Sequence, residues 1–212
     1  MNLPSSKTLK ANFRRWWPTA LLLVGALLLV YVTFQYGSMY VRQRQLSAEW
    51  EKQNAPAAAA APKAQDPREQ MTRISIPSID LDAIVVEGTN SRQLAIAPGH
   101  MVDTAAPGEN GNSVITAHRD TFFRHIYELN KGDTILLRRG GKSFQYLVEK
   151  KFVVKPSDVS VLRPTNDARL TLVTCYPTYY VGPAPERLVV TAKLAGPADA
   201  TASAVPAHTG AQ

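Results

Sequence analysis

The sequence predicts an all-β domain, a closed or nearly closed barrel of eight short strands, preceded by a single membrane-spanning helix. Three observations lead to this prediction. Residues 71–195 contain short stretches with alternating apolar residues, separated by turn-forming residues, which is typical of a barrel rather than an α/β sheet. Residues 16–40 form one long uncharged apolar stretch. The chain has a single cysteine, so its fold cannot depend on internal disulfides.

The apolar stretch at 16–40 is long enough to cross a bilayer, which needs roughly 20 residues. Aromatic residues suited to the membrane interface stand at its two ends, namely Trp16, Trp17, Tyr36 and Tyr40. Four cations precede it: Lys7, Lys10, Arg14 and Arg15. A cleaved signal peptide is the alternative, but no small-residue cleavage site follows closely. We therefore expect an uncleaved anchor with residues 1–15 in the cytoplasm and the later residues outside.

The segments on either side of the predicted domain are rich in small residues and proline. Residues 41–52 could extend the membrane helix a little way, but 54–70 contain Pro56, Pro62 and Pro67 and show no periodic apolar face. We assign 41–70 as an Ala/Pro-rich linker. Residues 196–212 are expected to be a disordered tail.

Eight stretches of residues 71–195, the predicted domain, are expected to be strands. They are Met71–Ile76, Ala83–Val86, Ser113–His118, Asp133–Arg138, Phe144–Val148, Lys151–Lys155, Arg169–Cys175 and Arg187–Leu194. Turn residues separate them, notably Asn110-Gly111 and Gly140-Gly141.

Two short helices are expected between the strands. The first runs from Thr121 to Leu129 after Asp120 as N-cap, and the second is a turn from Ser157 to Leu162. The connection that contains the second helix, and the loop 176–186, should form the two walls of a groove.

The charge of the chain does not indicate nucleic-acid binding. The formal net charge is +7, but residues 71–195 contain 15 Lys and Arg against 12 Asp and Glu, and the remaining excess is concentrated near the N-terminus. No basic stripe is interleaved with aromatic residues. A single cysteine also excludes a Cys-x-x-Cys redox motif and a multi-cysteine zinc site.

The one cysteine, Cys175, stands at the end of a predicted strand. Pro177 cannot donate to a β-ladder, so the strand should end at or just after the cysteine and present the thiol at an open end. A buried, inert cysteine is the other interpretation of this stretch. An ordinary thiol with a pKa of about 8.5 is only about 3% ionised at pH 7, so a nucleophilic cysteine usually needs a histidine partner.

Two of the four histidines are candidates for that partner. His118 ends a predicted strand as Cys175 does, and His100 lies in a predicted turn, so both stay open, with His118 favoured. His125 lies in the predicted short helix, where a solvated or capping role is expected, and His208 lies in the tail.

An arginine is expected to stabilise the negative oxygen that forms in acyl transfer. Arg187 starts the strand after Cys175, so antiparallel pairing of these two strands would bring it close to the thiol. Arg119 is the rival, but it should point away from His118 along the strand. No aspartate is well placed to orient the histidine, so we expect a Cys–His dyad with an arginine.

Three segments of the predicted domain carry motifs of one known enzyme family. Thr171-Leu172-Val173-Thr174-Cys175 is similar to the sortase Thr-Leu-x-Thr-Cys signature. The segment 117–123, Ala-His-Arg-Asp-Thr-Phe-Phe, is similar to the class D histidine segment, although many members have glycine at position 117. Segment 184–187, Ala-Pro-Glu-Arg, is similar to the one that carries the family's arginine, and the resemblance covers roughly residues 71–194.

The resemblance implies a sortase-type β-barrel and an enzyme, a cysteine transpeptidase at the cell membrane. Cys175 would attack a Leu-Pro-x-Thr-Gly-like sorting signal at the C-terminus of a secreted protein. An amine of a cell-wall precursor or a protein lysine would then accept the acyl group. His118 would serve as acid and base, and Arg187 would bind the substrate carbonyl and oxyanion. Thr174 and Tyr176 are expected to contact substrate.

No metal or organic cofactor is expected, although the sequence leaves open a dependence on calcium. Two other functions stay open on the sequence alone. The first is a membrane-tethered cysteine peptidase that only hydrolyses its acyl enzyme. The second is a non-catalytic extracellular binding barrel with an inert cysteine.

Overall fold

The computed structural model describes residues 6–54 and 71–197 of the chain, and contains an N-terminal helix and a β-barrel. Helix α1 spans Ser6–Asn54, and from Trp16 onward it is long and apolar enough to cross a membrane. It includes residues 41–54 of the predicted linker, so the helix continues further than the sequence suggested. The rest of that linker, 55–70, and the tail from 198, with His208, lie outside the described residues. The chain divides into two compact units between Arg42 and Gln43.

Eight strands close the barrel in the order β1-β2-β3-β4-β7-β8-β6-β5, which confirms the predicted fold class. Their bounds are β1 Thr72–Ile76, β2 Leu81–Glu87, β3 Gly99–His100, β4 Gly111–Thr116, β5 Thr134–Arg139, β6 Lys142–Val154, β7 Ala168–Tyr176 and β8 Glu186–Pro197. Strand pairs β2–β3 and β4–β7 are parallel, and the other pairs are antiparallel.

The number of strands agrees with the prediction, but two of the assignments differ. The predicted strands Phe144–Val148 and Lys151–Lys155 form one long strand, β6, with a register shift between Val148 and Lys150 where it bends. The sequence also missed the two-residue strand β3. The turn between β5 and β6 is as predicted, because Gly140 and Gly141 both adopt positive φ (55° and 73°), as a tight hairpin requires.

The predicted helix Thr121–Leu129 is wrong except for its last residues. The chain forms turns there, and a 3₁₀ turn covers only Ile126–Glu128. The carbonyl of His118 accepts hydrogen bonds from the N–H groups of Thr121 (3.4 Å) and Phe123 (3.1 Å), a pattern that differs from the regular i to i+4 bonds of an α-helix. The apolar side chains expected to face the core do so, since Ile126 and Leu129 are fully buried.

Three other short helical elements lie in the barrel connections, and one of them, the 3₁₀ turn Pro77–Ile79 between β1 and β2, was not predicted. The predicted turn after Ser157 is a 3₁₀ turn, Val159–Leu162, and its cap is Asp158, whose side chain accepts from the N–H of Ser160. Helix α2, Ser91–Leu94, was not predicted.

The core fills the inside of the barrel with alternate residues of the strands. On β7 the inward side chains include Leu170 and Leu172, which are fully buried, and Tyr176, which packs against the core at the strand end. The positions between them, including Val173 and Cys175, must therefore face outward. Cys175 accordingly lies on the outer surface of the barrel and not in its core.

Candidate active site

Strand β7 carries Cys175 as its penultimate residue. The strand ends at Tyr176, as expected because Pro177 cannot continue the ladder. The peptide bond between Tyr176 and Pro177 is cis. The side chain of Cys175 is partly exposed, and it is a free thiol. A reagent or substrate on the outer face of the barrel can therefore reach the sulfur.

Arg187 lies directly opposite Cys175. Strand β8 runs antiparallel to β7, and Cys175 and Arg187 are partners in that register. Side chains of directly opposite residues share one face of the sheet, with Cβ atoms about 4.5–5.5 Å apart. The guanidinium Nη1 donates to the carbonyl oxygens of Glu186 (2.8 Å) and Ala184 (3.3 Å), which hold it at the start of β8.

His118 lies beyond the other edge of β7. Strands β4 and β7 are parallel, with Thr116 paired to Val173. The contact continues past the strand end, because the N–H of Ala117 donates to the carbonyl of Val173 (3.4 Å). The next step of the same register brings His118 level with Cys175. Ala117 is buried and His118 is exposed, so the histidine is on the outer face with the thiol.

The three residues named from the sequence thus stand at one end of three neighbouring strands. Cys175 is on the central strand, with His118 next to one edge and Arg187 next to the other. An imidazole and a guanidinium on either side of a thiol are the groups needed for proton transfer and oxyanion binding in acyl transfer.

His100, the other histidine left open by the sequence, is already engaged within the barrel. Its side chain lies in β3 and is 4% exposed. Nδ1 is 2.8 Å from a carboxylate oxygen of Glu87, and Nε2 donates to the carbonyl of Ala105 at 2.9 Å. With both ring nitrogens bonded and the ring buried, His100 is not available to act on Cys175.

His125 is exposed, as the sequence suggested. Its Nδ1 is 2.8 Å from a carboxylate oxygen of Glu128, three residues along the chain, in the turn segment between β4 and β5.

Arg119, the rival arginine, contacts the loop between β7 and β8. Its Nη2 donates to the carbonyl of Gly182 (2.7 Å), its Nη1 donates to that of Pro177 (3.4 Å), and the guanidinium lies 5.9 Å from the ring centroid of Tyr180. The residue next to His118 thereby holds the loop that follows Cys175. Sequence reasoning gave Arg119 no such role, because loop contacts carry no local pattern.

The two residues expected to contact substrate, Thr174 and Tyr176, have inward side chains. Thr174 is 1% exposed, and its hydroxyl donates to the carbonyl of Ala117 at 2.8 Å. Tyr176 is partly buried against the core. Contact of either residue with substrate stays a prediction, and for Thr174 the hydroxyl is occupied in tying β7 to the residue before His118.

A groove of about 260 Å³ lies on the outer face of the barrel, beside the end of β7 that carries Cys175. Val173 and Arg187 line it, as does Thr116, which lies two residues before His118. One wall is the connection between β6 and β7, as predicted, with residues such as Val161. The other wall differs from the prediction. It comes from the segment after β2, and the lining residues there are Thr89, Leu94 and Met101.

Within residues 6–54 and 71–197, no group of three or more His, Cys, Asp or Glu side chains could hold a metal ion. The expectation that the chemistry needs no cofactor stays a prediction.

Comparison with known proteins gives one consistent result. A sequence profile of the sortase domain matches residues 74–195, more than half of the chain. Sortase D of Bacillus subtilis is 39% identical over 121 residues, an alignment that covers 57% of this chain and 61% of that protein. The chain therefore spans less than two thirds of the length of that relative.

Two solved structures are similar in fold and sequence. A Sortase D5 transpeptidase of Clostridium perfringens is 35% identical with a TM-score of 0.55, and the match covers 59% of this chain and 79% of that one. Sortase E1 of Streptomyces coelicolor, solved with a tripeptide in its active site, is 29% identical with a TM-score of 0.55, and the match covers 63% of this chain and 93% of that one.

Proposed function

Because the chain belongs to the sortase family, we propose that it is a membrane-anchored cysteine transpeptidase. Its substrates are secreted proteins with a C-terminal sorting signal of the Leu-Pro-x-Thr-Gly kind, and an amine accepts the acyl group. The observation that carries the proposal is the position of Cys175 between His118 and Arg187, on the exposed face of three neighbouring strands.

Cys175 is the nucleophile. Its sulfur attacks the carbonyl carbon of the Thr-Gly bond, a carbon–sulfur bond forms, and the carbon–nitrogen bond breaks to release the glycine segment. The acyl group is then held as a thioester on the enzyme. The thiol is partly exposed at the strand end, and Val173 and Arg187, which line the groove, lie beside it, so a peptide bound in the groove would pass close to the sulfur.

His118 moves the proton in both halves of the reaction. It donates a proton to the leaving amine when the thioester forms, and removes one from the incoming amine when the thioester is resolved. Its exposed position suits this role, because each of the two amines must approach the imidazole from outside the barrel.

Arg187 stabilises the oxyanion in both tetrahedral intermediates. The carbonyl oxygens of Ala184 and Glu186 hold the guanidinium before substrate arrives, so little reorganisation is needed as negative charge develops. The arginine also lines the groove, which lets it bind the substrate carbonyl.

The N-terminal helix anchors the enzyme in the cell membrane by a single pass. The cations before Trp16 favour a cytoplasmic N-terminus, which leaves the barrel on the outside, where secreted substrates and cell-wall amines occur. A cell-wall precursor or a protein lysine would supply the acceptor amine.

The test uses the full-length chain in detergent micelles, a fluorescent peptide that contains a sorting signal, and triglycine as the acceptor. Mass spectrometry should detect the ligated product. When triglycine is omitted, the thioester should accumulate, and the mass of the protein should increase by the mass of the acyl fragment. Release of free acid alone, even at high triglycine, would instead indicate a peptidase.

Two variants assign the roles. Cys175→Ala should form no thioester and no product. His118→Ala should lower turnover by roughly 10²–10⁴-fold, the usual contribution of a general acid and base. His125→Ala is the matched control, because this exposed histidine pairs with Glu128 away from the thiol. A His118→Ala variant with normal turnover would contradict the assignment.

A further inference from the structure

The seam between β2 and β3 is one of the two shortest pairings in the barrel. Only two residue pairs form it, Val86 with Gly99 and Glu87 with His100. On the β3-facing edge of β2, the N–H of Val86 donates to the carbonyl of Pro98 (3.0 Å) and that of Gly88 to the carbonyl of His100 (2.8 Å). In a parallel ladder this edge presents a donor every second residue, so the preceding rung would join the N–H of Ile84 to the carbonyl of Ile96.

The side-chain amide of Gln43 occupies that rung. The N–H of Ile84 donates to Gln43 Oε1 at 3.1 Å, and Gln43 Nε2 donates to the carbonyl of Ile96 at 2.9 Å and to that of Ile84 at 3.3 Å. A primary amide carries the same donor and acceptor as a peptide group. Gln43 thus bridges the gap where the two backbone segments are too far apart to pair directly, and all three backbone groups have a partner.

The helix around Gln43 shows a matching pattern of burial. Gln43, Leu46, Ser47 and Trp50 are partly covered, whereas Arg44, Gln45, Ala48 and Glu49 are exposed. The spacing i, i+3, i+4, i+7 marks one continuous face of a helix. At the far end of this face the guanidinium of Arg73 on β1 lies 5.4 Å from the ring of Trp50.

The contact at Trp50 is itself held in place by the barrel. Arg73 donates two hydrogen bonds of 2.8 Å to the carboxylate of Asp82, its neighbour across the β1–β2 pair. The helix segment therefore has two attachments to the barrel that lie seven residues apart, one of them a set of three hydrogen bonds.

We propose that residues 43–50 form a strap, a fixed part of the barrel unit that closes the β2–β3 seam through Gln43. The strap also supports the groove, because Ile96 follows Leu94, which lines the groove wall, by only two residues. On the other side of that wall, Gln93 donates to the carbonyl of Glu87 and takes part in the capping box with Asn90. Loss of Gln43 would remove the contact at Ile96, so that the next attachments to β2 would be the bond from Val86 to Pro98 and the one from Gln93 to Glu87.

The experiment compares Gln43→Ala with Gln45→Ala in the full-length chain, in the same detergent, by hydrogen exchange resolved to single amides. Both variants shorten a glutamine of the same helix by the same atoms, but Gln45 is exposed. Only Gln43→Ala should speed exchange at the amide of Ile84, by roughly 5- to 150-fold, the range expected when a partly buried donor loses its partner.

Gln43→Glu is the second variant, and it is needed in case Gln43→Ala does not fold. A carboxylate still accepts from the N–H of Ile84 but cannot donate to the carbonyl of Ile96. The Ile84 amide should then stay protected, while amides of the wall segment 94–97 exchange faster than in the wild type. The proposal would be overturned if wild type, Gln43→Glu and Gln45→Ala all had the same exchange rates, both at Ile84 and in the wall segment.

Discussion

Replacement of Thr174 by valine separates two roles for the residue next to the thiol. The sequence predicts that Thr174 contacts substrate, whereas in the structure its buried hydroxyl donates to the carbonyl of Ala117 at 2.8 Å. Valine keeps the shape of threonine but has no donor, so the carbonyl loses this partner. The bond also ties β7 to the residue before His118, so its loss should loosen the histidine relative to Cys175.

The expected magnitude follows from burial. The hydroxyl lies in a side chain that is 1% exposed, and a buried acceptor left without its partner costs about 1–3 kcal/mol. The only other bond that the structure records between Ala117 and β7 is the long one of 3.4 Å from its N–H to Val173. For a domain of this size the loss corresponds to a fall in Tm of about 4–12 °C.

The assay combines thermal unfolding with steady-state kinetics of the peptide ligation. If the hydroxyl acts through His118, Thr174→Val should lower both Tm and kcat and leave KM little changed, because the imidazole acts in the transition state. Thr174→Ser keeps the donor and should restore most of both values. A valine variant with wild-type Tm and a raised KM would refute this reasoning and favour direct contact with substrate.

Three further predictions concern the arginines and the buried histidine. Arg187→Ala should lower kcat by roughly 10²–10³-fold in the ligation assay with little change in KM, whereas Lys193→Ala, on the same outer face of β8, should leave kcat unchanged. Arg119→Ala should release the β7–β8 loop, seen as faster proteolysis within residues 177–182 at an unchanged Tm. His100→Ala should lower the free energy of unfolding by about 1–3 kcal/mol, measured by denaturant titration, because the carbonyl of Ala105 loses its buried donor and the contact with Glu87 is lost. An unchanged kcat for Arg187→Ala, an unchanged rate of proteolysis for Arg119→Ala, or an unchanged free energy of unfolding for His100→Ala would contradict the role given to that residue.

The strands were predictable because each follows a local pattern. Alternation of apolar residues marks β1, β5, β7 and β8 in the sequence. Each of these strands begins and ends within about two residues of the expected bounds, except that β8 continues to Pro197. Strand β3 has only two residues, Gly99 and His100, so no alternation could mark it. The sequence also predicts two strands where the structure has one, β6. The bulge after Val148 interrupts the alternation, although the strand continues through it.

The predicted short helix after β4 is wrong because the backbone there forms a different set of local hydrogen bonds. The segment has a plausible cap at Asp120 and an apolar face, but the carbonyl of His118 binds two N–H groups of the following turn. Of the apolar face expected here, Ile126 and Leu129 are fully buried, whereas Phe122 is only partly buried and its neighbour Phe123 is fully buried instead. The pattern therefore predicted two of the buried residues but not the backbone that buries them.

The strap shows a different limit of sequence reasoning. The sequence predicts a linker over 41–70 in which 41–52 could extend the helix, but it does not predict the covered helical face from Gln43 to Trp50. The face contains only one aliphatic and one aromatic side chain, so its apolar periodicity is weak. Its main attachment is a side-chain amide bonded to the backbone of β2, and such a bond has no signature in sequence.

The candidate site depends on strand order more than on any one motif. Each strand end could be predicted from its own residues, but convergence of Cys175, His118 and Arg187 requires that β7 lie between β4 and β8. The parallel pairing of β4 with β7 brings the carboxyl ends of both strands to one rim, and the antiparallel pairing of β7 with β8 brings the start of β8 to the same rim. If β4 and β7 were antiparallel instead, His118 would stand near the start of β7, roughly a strand length from the thiol. The direction of this one pairing therefore decides whether an imidazole can reach the sulfur at all.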